Sequence, residues 1–122
     1  NMDAEKTSGH NPRLEQASRC AAELKRLSSP GLPIIFIGDL NDDEHPFWRL
    51  TAAGFSEVCQ ALSRSPQVTS PALPRPEKMP AVDDWIYYRG AIRPITIEVV
   101  HSCYDSMPPS DHHPLLATFC LL

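Results

Sequence analysis

The sequence predicts an α/β domain, and three observations carry that expectation. A helical repeat of apolar residues (Leu14, Ala17, Ala21, Leu24, Leu27) is followed closely by the apolar run Ile34 to Ile37. Further strand-like runs occupy about 84–88, 95–100 and 115–121. Three of these runs border acidic islands: Gly38-Asp39-Leu40-Asn41, Asp83-Asp84 and Ser110-Asp111-His112-His113-Pro114. Strand after strand flanked by carboxylate, amide and imidazole collects metal-binding and proton-transfer groups along one sheet edge.

The elements follow in order. From Pro12 to about Leu27 the apolar stripe lies beneath a polar face of Arg13, Glu15, Arg19, Glu23, Lys25 and Arg26. Asn11 is suited to cap this helix with Pro12 at its first position, and Ser28-Ser29-Pro30-Gly31 ends it. Pro33 to Ile37 is apolar without alternation, the pattern of a strand covered on both faces. A short helix opened by Pro46 runs through Phe47, Trp48, Leu50 and Ala53 and stops at Gly54.

Five prolines between Ser65 and Pro80 remove too many amide donors for a helix or an inner strand. Residues 65–80 are therefore expected to form a long surface loop, of the kind that often serves as a binding element or lid. In the strand after Asp84, Trp85 and Tyr87 point one way and Tyr88 the other. Ile95, Ile97 and Val99 alternate with Thr96, Glu98 and Val100, and Leu115 to Leu121 closes the chain as a last strand.

At 122 residues the chain makes one domain, 1–122, with roughly 60–70% of its unfolded surface buried on folding. Eleven basic against fifteen acidic residues give a net charge of −4, and no Lys/Arg run advertises a sequence-independent grip on nucleic-acid phosphates. Cys20, Cys59, Cys103 and Cys120 are widely spaced without a C-x-x-C pair, which predicts free thiols packed as small hydrophobes. No apolar stretch is long enough for a transmembrane segment, and the polar start is unlike a signal peptide. The expectation is a soluble protein, with the cytoplasm favoured.

The three islands, taken in order, resemble the last three signature motifs of the endonuclease/exonuclease/phosphatase superfamily: Gly38-Asp39-Leu40-Asn41 after an apolar strand, Asp84-Trp85-Ile86 at a strand start, and Ser110-Asp111-His112-His113-Pro114 near the C-terminus. Arg13 and Gln16, in the helix before the first of them, fit the same pattern. The resemblance implies a DNase I-like fold, a four-layer β-sandwich of which this chain is about the second half: one mostly antiparallel sheet with helices on its outer face. The first-half ligands of that family, an asparagine and a glutamate at early strand ends, have no counterpart here. The expected partner is the missing N-terminal half or a second copy, bound through the exposed sheet face.

The resemblance further implies a metal-dependent phosphoester hydrolase of the phosphodiesterase, phosphatase or nuclease type, using Mg²⁺ or Mn²⁺. Asp39 would orient or deprotonate the attacking water, with Asn41 holding that water or a phosphate oxygen. Asp84 would pair with His112 and favour imidazolium, and His112 would act as base or phosphate-contacting acid. Asp111 would be a metal ligand or the anchor of a second ion site, and Asp39 and Asn41 would also be metal ligands. His113 falls outside this constellation, and His10, His45 and His101 have no placed partner. The substrate is a phosphoester, whether small, lipid-linked or nucleic acid, because fold and catalytic set fix the bond and not its carrier. The alternative is a truncated non-catalytic relative that serves as an interaction module.

Overall fold

The computed structural model describes residues 12–41 and 44–122. The cap assigned to Asn11, the side chains of Arg13 and His45, residue His10 and the segment Asn1 to Asp3 lie outside the described part. Helix α1 spans Pro12–Leu27, as the apolar repeat requires. Ala17 and Ala21 are its buried positions, while Glu15–Arg19 and Glu23–Arg26 pair along its exposed face. Strand β1 (Ile34–Asp39) follows, then α2 (Glu44–Ala52), which begins two residues before Pro46. Gly54, at φ +88°, takes the left-handed conformation that ends the turn after α2. Two short elements without a sequence signature come next: strand β2 (Ser56–Glu57) and the single-turn helix α3 (Val58–Ala61). Strands β3 (Asp84–Arg89), β4 (Ile92–Val99) and β5 (Leu115–Leu121) complete the order.

All strand pairs are antiparallel, and they fall into two sheets rather than one: β1-β3-β2 and β4-β5. Central β3 is buried on both faces, at Trp85, Ile86 and Tyr87. On one face Trp85 and Tyr87 pack with Ala21, Leu50 and Phe55, joined by Leu24, Ile34 and Phe36, so α1 and α2 form the outer layer. On the other face Ile86 packs with Val58, Cys59 and Ile97, and Tyr88 meets Phe119 edge-on at 5.8 Å. Gly90 makes the passage from β3 to the second sheet possible. Its φ is +90°, and a Cβ there would lie 2.2 Å from the Leu32 carbonyl oxygen.

Three expectations are corrected. Strand β1 is not covered on both faces: Ile34 and Phe36 are half-buried, whereas Ile35 and Ile37 are 42% and 66% exposed. The β4–β5 hairpin covers β3, and the edge strand β1 lies beyond it among the described residues. Ile95 does not share an inward face with Ile97 and Val99. A register shift between Pro94 and Thr96 takes it out of phase, and it is exposed. Of the four free cysteines only Cys59 is buried; Cys20, Cys103 and Cys120 are exposed. Burial, with Glu57 nearby, pushes the Cys59 thiol up to about 11.

The proline-rich segment is also more than a surface loop. Most of 71–80 is exposed or half-buried, but Thr69 and Ser70 are fully buried. Ser70 bridges to Ala81, closing the base of the loop, and the Ser70–Pro71 peptide is cis. Among the described residues, no helix is long and apolar enough to cross a membrane.

Candidate active site

The β1–β3 ladder sets the first two groups. Its register places Asp39, the last residue of β1, opposite Asp84, the first of β3. Leu40 N donates to the Asp83 carbonyl at 2.8 Å, which continues the pairing past the strand end. Directly opposed residues project from the same face of a sheet, so both carboxylates stand on the side that carries the β4–β5 hairpin.

Beyond β1 the chain turns at Asn41, which has φ +49°, a conformation asparagine tolerates better than most residues. In that turn the Asn41 backbone N and side-chain Nδ2 both donate to Asp39 Oδ1, at 3.0 and 2.6 Å. The Asp39 carboxylate is held by one oxygen, which leaves the other available.

His112 arrives from the segment before β5. Its backbone N donates to Ser110 Oγ at 3.2 Å, and its Nδ1 lies 2.7 Å from Asp84 Oδ2, both side chains being about three-quarters buried. The hydrogen bond to Asp84 raises the His112 pKa above its ordinary value. The Asp84 and Asp39 charges add to this, while desolvation and Lys78 oppose it. One ligand atom from each of Asp39, Asp84 and His112 falls within 4.8 Å of the others. Together with Ile37, Ser110, His113 and Leu115 they line an open cleft of ≈ 410 Å³.

Thr69 is the positioning residue that sequence reasoning missed. Its buried hydroxyl accepts from Asp83 N at 3.1 Å and Asp84 N at 3.2 Å. Its carbonyl accepts from His113 N at 2.7 Å, and its own N donates to the Ala81 carbonyl. Thr69 thus joins the start of β3, through its side chain, to the His112 segment, through its backbone carbonyl. A threonine among prolines has no periodicity to reveal it; only the position of the loop, running into Asp84, hinted at such a role.

Four of the five sequence-nominated residues come together: Asp39, Asn41, Asp84 and His112. Asp111 does not. It is exposed, its carbonyl accepts from Ala72 N at 2.7 Å, its Oδ1 accepts from Ser110 Oγ at 3.5 Å, and it lines another depression with Leu73, Arg75 and Met107. Asp83 is nearly buried, 3.8 Å from Lys78 Nζ. His113 lines the cleft but is not one of the clustered ligand groups, and His101 has a partner after all: the two rings meet edge-on at 4.3 Å.

No family model matches the chain, and no curated relative matches it in sequence. Solved structures do match. Bacteroides thetaiotaomicron mannosyl-6-phosphatase Bt3783 aligns at TM-score 0.71 and 19% identity, over 89% of this chain and 46% of its own. D. rerio TDP2, in complex with a single strand DNA product, aligns at 0.67 and 18% identity, over 88% and 49%. An endonuclease/exonuclease/phosphatase family protein from Bacteroides thetaiotaomicron aligns at 0.63 and 19%, over 86% and 44%. The fold is DNase I-like, that of the endonuclease/exonuclease/phosphatase proteins. This chain spans about half the length of the structures it matches. The Asp39–Asp84–His112 cluster sits at the ends of β1 and β3 and at the entry to β5.

Proposed function

We propose that residues 1–122 are the C-terminal half of an endonuclease/exonuclease/phosphatase domain that hydrolyses a phosphoester with the help of a divalent cation. The observation that carries this reading is the Asp84–His112 pair at 2.7 Å beside the Asn41-held carboxylate of Asp39. In this reading the water oxygen bonds to phosphorus as the P–O ester bond breaks, Asp39 accepts the water's proton, and the leaving oxygen takes a proton from solvent and departs as an alcohol. Asn41 keeps Asp39 oriented. Asp84 holds His112 as imidazolium, and His112 donates to a phosphate oxygen as negative charge builds there.

The donor set fits Mg²⁺ or Mn²⁺: hard carboxylate oxygens, few protein ligands and an open cleft with room for water and phosphate. Two carboxylates opposed across a ladder also repel, and a divalent cation offsets that repulsion. Such an ion, when bound, neutralises charge on the reacting phosphate. Asp111 has no role in this assignment. The exposed Ile35 and Ile37, on the same face as Asp39, support a further segment packing there, either the other half of the domain or a second copy.

The test is hydrolysis of a generic phosphodiester by the complete protein. Asp39→Ala and His112→Ala should each lower turnover by on the order of 10²-fold or more. Chelation should abolish activity, Mg²⁺ or Mn²⁺ should restore it, and His113→Ala should change little. Turnover indifferent to chelator would remove the reading.

A further inference from the structure

Two tight turns beside the catalytic cleft enclose a second depression of ≈ 210 Å³, lined by Leu73, Arg75, Met107, Pro108, Ser110 and Asp111. One turn is closed by Lys78 N donating to the Arg75 carbonyl at 3.2 Å, the other by reciprocal backbone bonds between Tyr104 and Met107 at 2.8 and 2.9 Å. Ala72 N donates to the Asp111 carbonyl at 2.7 Å and fastens the two walls to each other.

Ser110 connects this depression to the cleft. It is exposed and lines both. Its Oγ accepts from His112 N at 3.2 Å and donates to Asp111 Oδ1 at 3.5 Å, so one exposed hydroxyl touches the cleft's histidine on one side and the Asp111 carboxylate on the other. A phosphate at His112 whose substituent passes Ser110 delivers that substituent between the two turns.

The walls have mixed chemistry. Leu73, Met107 and Pro108 offer carbon surface. Arg75 and Asp111 supply one charge of each sign, and neither makes an ion pair among the described residues. A second anionic group would gain from Arg75 but face the Asp111 carboxylate, and an alkyl chain would cover both charges without giving either a partner. Hydroxyl groups accept as well as donate, so they serve the guanidinium and the carboxylate together while the carbons that carry them lie on Met107 and Leu73.

We propose that this depression receives a neutral polyhydroxyl group carried by the phosphoester substrate, with its hydroxyls on Arg75 and Asp111 and its carbon face on Met107 and Leu73. The proposal rests on the hydrolase reading for the position of the phosphate, and it adds the class of group attached to that phosphate. A sugar ring and an open-chain polyol share this chemistry.

Binding to the complete protein with Mg²⁺ separates the cases. The probes are the phosphonate analogues of glucose 6-phosphate, sorbitol 6-phosphate and hexyl phosphate, which have no ester bond to cleave, and the binding is followed by calorimetry. One or both polyol probes should bind on the order of tenfold more tightly than the hexyl probe. Arg75→Gln should erase most of that advantage and leave the hexyl affinity and the generic phosphodiesterase rate unchanged, and Met107→Ala should weaken the polyol probes selectively. Preference for the glucose probe alone identifies a ring, and preference for both polyol probes an open-chain group. Equal binding of the hexyl probe, a polyol advantage that survives Arg75→Gln, or uniform weakening of all three probes by that variant overturns the proposal. Chelator sensitivity of phosphodiester turnover is measured in parallel: its absence with the Arg75-dependent preference intact would sink the hydrolase reading and leave the polyol site.

Discussion

Asp39 and Asp84 are direct partners in the β1–β3 ladder, two carboxylates side by side at the end of a sheet. Like charges in such a pair oppose folding by about 0.2–1 kcal/mol. Asp39→Asn keeps an acceptor for the Asn41 donors and removes one charge, so it should raise the melting temperature by about 1–5 °C in metal-free buffer. Added Mg²⁺ should raise the wild-type midpoint and have much less effect on the variant. Calorimetry with and without metal checks both outcomes, and a lower midpoint for the metal-free variant would contradict the repulsion argument.

The His112 pKa is raised, first by its hydrogen bond to Asp84. A group raised on folding contributes stability that is fully present below its unfolded value, about 6.5, and is lost as pH rises through the folded value. Stability should therefore decline across the range just above neutral-histidine titration, and Asp84→Asn should remove most of that decline. NMR titration of the imidazole, with denaturant midpoints at several pH values, measures both. If His112 acts as imidazolium, the alkaline limb of the rate profile should move to lower pH in Asp84→Asn.

Thr69→Val replaces the hydroxyl that accepts from Asp83 N and Asp84 N by a methyl of similar volume. The buried Asp83 amide loses its acceptor at about 1–3 kcal/mol, and the part-buried Asp84 amide loses its acceptor at a smaller cost. Thr69→Ser should restore most of the loss because the hydroxyl is what matters. Urea unfolding of the two variants compares them directly, and equal stability of Val and Ser would show that the site needs only volume.

Gly90→Ala sets a Cβ against the Leu32 carbonyl at a positive φ. The backbone strain alone costs about 1–3 kcal/mol, and the clash adds to it. Loss of more than about 2 kcal/mol, or failure to fold, is expected. Gly31→Ala, also at positive φ but with open space around it, should cost less.

Residues with periodic or ordered signals were legible in the sequence. Leu14, Ala17, Ala21 and Leu24 define α1 because a helix long enough to bury one stripe must repeat at its own period. The Asp84–His112 pairing was implied by the resemblance to the endonuclease/exonuclease/phosphatase superfamily, which the three ordered motifs carried. Thr69 was invisible because its role depends on where a nonrepetitive loop returns. Ser56–Glu57 and Val58–Ala61 are too short to show a period. The phase of Ile95 was lost to a register shift beside Pro94, which cannot donate to the ladder. Asp111 was placed in the constellation by the resemblance alone, and adjacent residues in a turn need not point the same way.

The contrast between Cys59 and the other three cysteines gives this chain an internal clock for its own opening. A thiol held at about 11 has almost no thiolate near neutral pH, and burial also shields it from reagents. Cys20, Cys103 and Cys120 will alkylate promptly, whereas Cys59 reacts only when α3 lifts from Ile86 and Ile97. Mass shifts of a pulse-labelled sample would then separate into a fast triple adduct and a slow fourth one. The slow rate, measured against cleft ligands or chelator, would report whether occupying the Asp39–His112 edge tightens packing at the far end of β3.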